Sequence, residues 1–433
     1  MKPPLAGVRL LSLAEQYPGP YATTMLADLG ADVINVERPA GGDPTRAFPG
    51  FWESLARGKR SVALDLKAPG GRAAFLTMVA GADAVLEGYR PGVVGRLGVD
   101  YETLRQVNDQ LVYVSVSGFG QDGPYRDRPG HDLCYQALAG TLYGQLGDGA
   151  PPGAGLPAGA ALPAGAGLPR PSTLELGDLT AGLLTVQAVL LGLVRRDRDG
   201  HGGYLDVSVF DGLVSLLSAH LGPVLNGTGT PGFPHEPGYA VYRTSDGALL
   251  ALGVAHEDQF WRRLCALTGL DGEQDLSCPQ RLADRARLSD LLTARIATRT
   301  FAQWERLLTE ADVPHSAVHD LAGVAADPHT ASRGLVVQAG PPGGERRFVR
   351  QPLVVDGVGW GPQSGAPELG QHTTEVLGEA GLDEADIAAL LASGAALAPD
   401  ISEAPLSTMQ HLSPSQHLST KKEHPTRDLP GED

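Results

Sequence analysis

Along the first third of the chain, short and largely apolar runs alternate with segments of helical spacing. Val8–Leu13, Val33–Val36, Ser61–Leu66, Ala84–Leu86 and Leu111–Val116 predict strands. Between the first two, Pro20–Leu29 repeats apolar residues at the period of a helix and runs into Gly30, a C-cap signal. Strand, helix and strand in alternation predict a largely parallel sheet, with ligand-binding backbone at turns such as Arg38-Pro39, Pro69-Gly70 and Pro91-Gly92. The longest apolar stretch, Leu179–Val194, is short for a bilayer span. It contains Thr180, Thr185 and Gln187 and ends at Arg195-Arg196, so it predicts a buried helix.

A different texture follows. Tyr204–Val209 alternates apolar and polar side chains after the turn residues Asp199–Gly203, which predicts one more strand. From about Tyr239, Tyr242–Gly247 followed by Leu249–Val254 reads as a hairpin, and helical patterns run through Phe260–Leu267, Leu291–Ile296 and Phe301–Leu308. The chain then returns with Val336-Val337 and a helix over Asp383–Leu397. Two segments fall outside this scheme. Residues 148–172 repeat GAGLP, GAALP and GAGLP with a period of six, and the tail after Ala398 lacks apolar periodicity, so both are expected to be unstructured. The expected division is 1–224 and 331–397 for a large domain, 225–330 for a smaller one, and 398–433 for a disordered tail.

Charge narrows the choice of partner. Among the 433 residues, 34 Lys and Arg against 50 Asp and Glu give a net charge of −16, which disfavours nucleic acid and anionic membranes. An anionic ligand therefore needs a local basic cluster. One is present in Arg38, Arg46, Arg57, Lys59, Arg60, Lys67, Arg90 and Arg96, although any single member also fits a solvated charged face. Three cysteines without a CxxC pair support neither a disulfide framework nor a zinc knuckle. With no signal-peptide pattern at the N-terminus, they point to a reducing cytoplasm.

Two residues stand out as candidate chemistry. Asp178 opens the long apolar helix, where backbone N–H groups and the helix dipole would keep a carboxylate ionised and ready as a nucleophile or base; an ordinary N-cap would look the same. His131, in Pro129-Gly130-His131-Asp132, is suited to proton exchange, but also to a plain cap-proximal position. No Walker loop is present, Gly118-Phe119-Gly120 lacks the third glycine of a dinucleotide fingerprint, and no HExxH-like spacing occurs. NAD and a metal are therefore not expected.

Ordered motifs carry a more specific signal. Tyr17-Pro18-Gly19-Pro20-Tyr21-Ala22, Leu26–Ile34, Val36–Arg46 and Arg57–Val62 resemble family III CoA-transferases, the CaiB/BaiF group. Leu64-Asp65-Leu66-Lys67, Tyr89-Arg90-Pro91-Gly92, Val114–Gln121 and Gly370–Glu375 continue the resemblance, which runs in order from about residue 3 to 395. It implies an α/β fold: a Rossmann-like large domain built from both chain ends, a smaller α+β domain between them, and two subunits threaded through one another as an interlocked homodimer, an exception to unthreaded topology. It also implies that coenzyme A, as part of the substrate, lies along Arg38, Leu64, Lys67, Gly88, Tyr89, Arg90 and Arg96.

By the same resemblance Asp178 is the catalytic aspartate. It would form a mixed anhydride and then an aspartyl-CoA thioester as CoA moves from an acyl-CoA to a carboxylic acid, with backbone N–H groups at the helix start stabilising the oxyanion. The family's α-methylacyl-CoA racemase branch gives the alternative, in which His131 and Asp178 are opposed bases and Glu257 supports the histidine after a one-residue shift in alignment. Formyl-CoA-type transferases carry a run of glycines over the intermediate, of which Asn226–Gly232 is a loose counterpart. A non-catalytic CoA-binding protein is the reading from another class. It fits poorly with retention of Asp178.

Overall fold

The computed structural model describes residues 1–142, 174–228, 235–340 and 344–399. The 148–172 repeat, the tail from residue 400 and residues 229–234 of the glycine-containing loop lie outside these. Six strands, β1 (Arg9–Ser12), β2 (Asp32–Glu37), β3 (Arg60–Leu64), β4 (Ala84–Glu87), β5 (Val112–Ser117) and β6 (Gly203–Ser208), pair in parallel in the order β3, β2, β1, β4, β5, β6. A short strand, Ala396–Leu397, closes the β3 edge antiparallel. The Asp383–Leu397 expectation is thus corrected. The helix runs over Glu384–Ala392, and left-handed Gly394 (φ +73°) turns the chain back to the sheet.

Successive side chains of each strand point to opposite faces, and both faces are covered, as parallel sheets require. Leu11, Ile34, Val62, Val85 and Tyr113 pack against Phe75 and Met78 of the helix Pro69–Val79. Leu10, Val33, Ala84, Val112 and Val114 meet Leu26 of the helix Pro18–Asp28, together with Ala181, Ala188, Val189 and Leu193 of the helix Leu176–Asp199. Close approach depends on two glycines. A Cβ at Gly182 would lie 2.7 Å from Tyr21, and one at Gly192 would lie 2.3 Å from Val112. At 24 residues this helix is long and apolar enough to cross a bilayer, yet half of its most apolar window is buried against the sheet. Leu183, Leu191 and Val194 remain exposed on its outer side.

A second core forms around β7 (Val241–Arg243), β8 (Leu249–Leu252) and β9 (His315–Ala317), all antiparallel. The turn between β7 and β8 is closed by Thr244 N–H to Ala248 O at 3.0 Å, with Gly247 at φ +84°. Trp261 and Trp304 are buried here, and each satisfies its indole N–H on a backbone carbonyl at 2.8 Å, Glu273 for the first and Ile296 for the second. Arg281 is buried between Glu236 and Asp258. Val336-Val337 do not rejoin the central sheet. They begin β10 (Val336–Ala339), which pairs with β11 (Arg346–Val349) as a separate ribbon. That ribbon is fastened to the N-terminal segment. Arg57 donates to Val349 O at 2.8 Å, while the Asp28 carboxylate accepts from Arg57 at 2.9 Å and from Gln351 N–H at 2.8 Å.

Candidate active site

A cleft of ≈ 300 Å³ opens at the C-terminal ends of the strands, where open α/β sheets bind ligands. Its walls come from the ends of β1, β4 and β5, from the turn Gly130-His131, and from the start of the helix Leu176–Asp199. Tyr135 fills one side. A Cβ at Gly118 or Gly130 would fall within 2.4 or 2.7 Å of it, so both glycines make room for the ring. The phenol donates to Gly130 O at 2.8 Å and so holds the turn that carries His131.

Asp178 lines this cleft as the third residue of its helix; Glu175, not Asp178, is the N-cap. The expected role of the helix start is reversed. Gly177 N–H and Asp178 N–H donate to Asp132 Oδ1 at 2.7 and 3.2 Å, so these donors are taken by a neighbouring carboxylate and do not serve Asp178 or an oxyanion. Gln136 donates to the other Asp132 oxygen. Burial, then the negative charges of Asp132 and Glu175, push the Asp178 carboxyl up to about 7. The helix dipole therefore does not keep it ionised as the sequence suggested. Near neutral pH it sits between proton acceptor and proton donor.

His131 lines the same cleft. It is the exposed N-cap of the helix Asp132–Ala139 and makes no side-chain cap bond. Gly88, Tyr89 and Arg90 line it as well, held from below: Tyr89 N–H donates to Glu87 Oε2 at 2.8 Å, and Ser115 donates to Glu87 Oε1. Burial pushes the Glu87 carboxyl up to about 7. Arg38 lies outside the cleft, exposed, donating to Gly42 O at 3.0 Å and standing 3.8 Å from cleft-lining Glu15. Leu64, Lys67 and Arg96 also lie outside it, Leu64 as a core side chain and the two cations exposed to solvent. Glu257 is not among the cleft residues of the same chain. It is the N-cap of the helix Asp258–Thr268 beside the second core, its Oε2 buried without a hydrogen bond and 4.0 Å from His256 Nδ1.

Sequence reasoning missed several lining residues. Gln16 adopts φ +69° while its N–H reaches the Asp43 carboxylate at 3.2 Å, a constraint with no local sequence signature. Arg126 and Arg128 were legible as Arg-Asp-Arg-Pro-Gly directly before His131, but they stand apart from the N-terminal basic cluster. Asp132 was visible within Gly-His-Asp; its bond to the distant helix start was not. Among the described residues no group of three or more His, Cys, Asp or Glu is arranged to hold a metal ion.

A half-buried carboxylate lining a cleft with a basic rim and a Gly-Tyr-Arg turn is suited to meeting an acylated anionic carrier. A family model described as CoA-transferase family III matches residues 5–373. The chain belongs to CoA-transferase family III. Among its family III relatives, a succinate–glutarate CoA-transferase of Agrobacterium fabrum is 34% identical over 408 residues, covering 87% of this chain and 96% of that protein. A succinyl-CoA–D-citramalate CoA-transferase of Chloroflexus aurantiacus is 31% identical over 419 residues, covering 90% and 97%. The crystal structure of a CaiB/BaiF family protein from Brucella suis superposes with a TM-score of 0.74 at 28% identity, over 88% of this family III chain and all of that one.

Proposed function

We propose that the protein moves CoA from an acyl-CoA thioester to a carboxylic acid, with dicarboxylic acids as its substrate class. The observation that carries this is Asp178, half-buried and unneutralised in the lining of a cleft shared with the Gly88–Arg90 turn, in a chain with relatives named for CoA transfer between dicarboxylates. In the first step an Asp178 carboxylate oxygen attacks the thioester carbonyl. The C–O bond forms, the C–S bond breaks, and CoA leaves as the thiolate, giving a mixed anhydride. The thiolate then attacks the aspartyl carbonyl and displaces the donor as a free carboxylate. An acceptor carboxylate repeats both steps in reverse, which returns Asp178 unmodified. Arg38, Lys67 and Arg96, with Gly88, Tyr89 and Arg90, are proposed to carry the CoA moiety.

Proton transfer at the α-carbon is the second reading, favoured by the placement of His131 and Asp178 in one cleft. One experiment separates the two. The protein is incubated with succinyl-CoA and glutarate, and in parallel with a 2-methylacyl-CoA in deuterium oxide. Glutaryl-CoA without α-deuterium is expected, and with His131→Ala transfer is expected to fall by less than about 10-fold. α-Deuterium that disappears in His131→Ala, without transfer, would install the racemase reading instead. We also propose an interlocked homodimer, supported by the exposed apolar residues Leu183, Leu191 and Val194 on the long helix; a monomeric mass in sedimentation contradicts it.

A further inference from the structure

Three arginines line the cleft, Arg90, Arg126 and Arg128, and the proposed function uses only one of them. Arg90 belongs to the turn given to CoA. Arg126 is committed within its own loop, donating from Nε to Gln121 O at 2.9 Å and from Nη1 to Asp127 at 3.1 Å. Arg128 has no ion pair with a carboxylate among the described residues. Its guanidinium carbon lies 5.2 Å from the Tyr125 ring centroid and 6.0 Å from that of Phe119. Phe119 is itself wedged against Tyr135 at 5.1 Å and Tyr125 at 5.6 Å, and of these rings Phe119 and Tyr135 line the cleft. Aromatic faces steady a planar guanidinium without consuming its N–H donors, which stay free for an anion.

We infer that Arg128 is a specificity-determining residue that holds the second, non-reacting carboxylate of a dicarboxylic acid while the first meets Asp178. Three observations converge on this. The guanidinium sits in the same cleft as Asp178, three residues before His131. The turn that bears it is tied to the nucleophile's helix, because Asp132 accepts the N–H groups of Gly177 and Asp178. The surroundings of Asp178 are acidic, with Asp132 and Glu175 close enough to raise its carboxyl. A dianionic acid entering such a site needs a fixed cation, and a bidentate arginine meets that need with geometric selectivity. The inference rests on CoA transfer being the activity.

The test compares glutarate with pentanoate, a monocarboxylate of the same chain length, as CoA acceptors for the wild type and for Arg128→Gln and Arg128→Lys. Acetyl-CoA and succinyl-CoA serve as donors, and inhibition by free CoA is measured in parallel. In Arg128→Gln, kcat/KM for glutarate is expected to fall roughly 30-fold, with pentanoate transfer and CoA inhibition changed by less than about 3-fold. Arg128→Lys is expected to recover part of the loss, since charge remains but the fork is gone. Undiminished glutarate transfer, or a wild-type preference for pentanoate, overturns the inference. An equal fall for both acids with weakened CoA inhibition also overturns it and gives Arg128 to a CoA phosphate. Failure of the wild type to transfer CoA to either acid is a distinct result that removes the proposed function itself.

Discussion

Asp28 and Asp178 are two acidic side chains that burial lifts above the usual carboxylate range, but their neighbours differ in sign. At Asp28 the neighbours are the Arg57 guanidinium at 2.9 Å and the Gln351 N–H at 2.8 Å, both of which favour the ionised form. At Asp178 they are Asp132 and Glu175, which oppose ionisation, while the nearby N–H donors are bonded to Asp132. The first arrangement fastens the β10–β11 ribbon to the N-terminal part of the molecule. The second leaves a carboxylate uncompensated in the lining of a cleft, where the proposed reaction would use it. Burial lifts both carboxyls, and the company of each group sets them apart: one is compensated by a cation, the other is not.

The strongest way to test this contrast is to exchange the losses. Asp178→Ala is expected to lower turnover by at least about 1,000-fold while CoA affinity, read by calorimetry, stays within about 3-fold, since the proposed nucleophile and the proposed carrier contacts are separate. Asp28→Ala leaves Arg57 buried without its partner. It is expected to cost about 3–5 kcal/mol in urea unfolding, with the kcat of the folded fraction unchanged. A stable Asp28→Ala protein with lost activity would mean that the two regions had been assigned the wrong roles.

The smallest effect concerns pH. The proposed attack requires an ionised Asp178 carboxyl, which is raised to about 7, so kcat/KM is expected to decline as pH falls through about 7. Asp132→Asn keeps an oxygen acceptor for the helix N–H groups and removes the charge. The acid limb should then move to lower pH while staying above the ordinary carboxylate range, because burial, the larger cause, persists. An unmoved limb would assign the titration to another group.

Most of the framework was legible because apolar runs dictate it. The strands β1 to β6 lie within about two residues of the positions their runs predicted, and the hairpin of β7 and β8 was marked by Ser245-Asp246-Gly247. What periodicity could not give was anything set by distant partners. The Ala396–Leu397 strand is two residues long and exists through its pairing with β3, so a helical reading ran through it. Val336-Val337 marked the return of the chain, but the strand they pair with is settled by Arg346–Val349. At the site, the helix start that bears Asp178 was readable. Its electrostatics were not, because Asp132 stands 46 residues before Asp178 and takes the N–H groups that the local pattern gave to Asp178. Glu257, which the resemblance gave as the support of His131, caps a helix next to the second core within one chain.

The most direct measurement is chemical trapping of the aspartyl intermediate. The protein is mixed with succinyl-CoA, quenched with hydroxylamine, digested and read by peptide mass spectrometry, with Asp178→Ala as the control. Attack of hydroxylamine on the activated aspartyl carbonyl forms a C–N bond and expels CoA or the donor acid, leaving a hydroxamate. The account predicts that hydroxamate on Asp178, absent without acyl-CoA and absent in the variant. Turnover that proceeds with Asp178 unmodified, or a label on a different side chain, would contradict it.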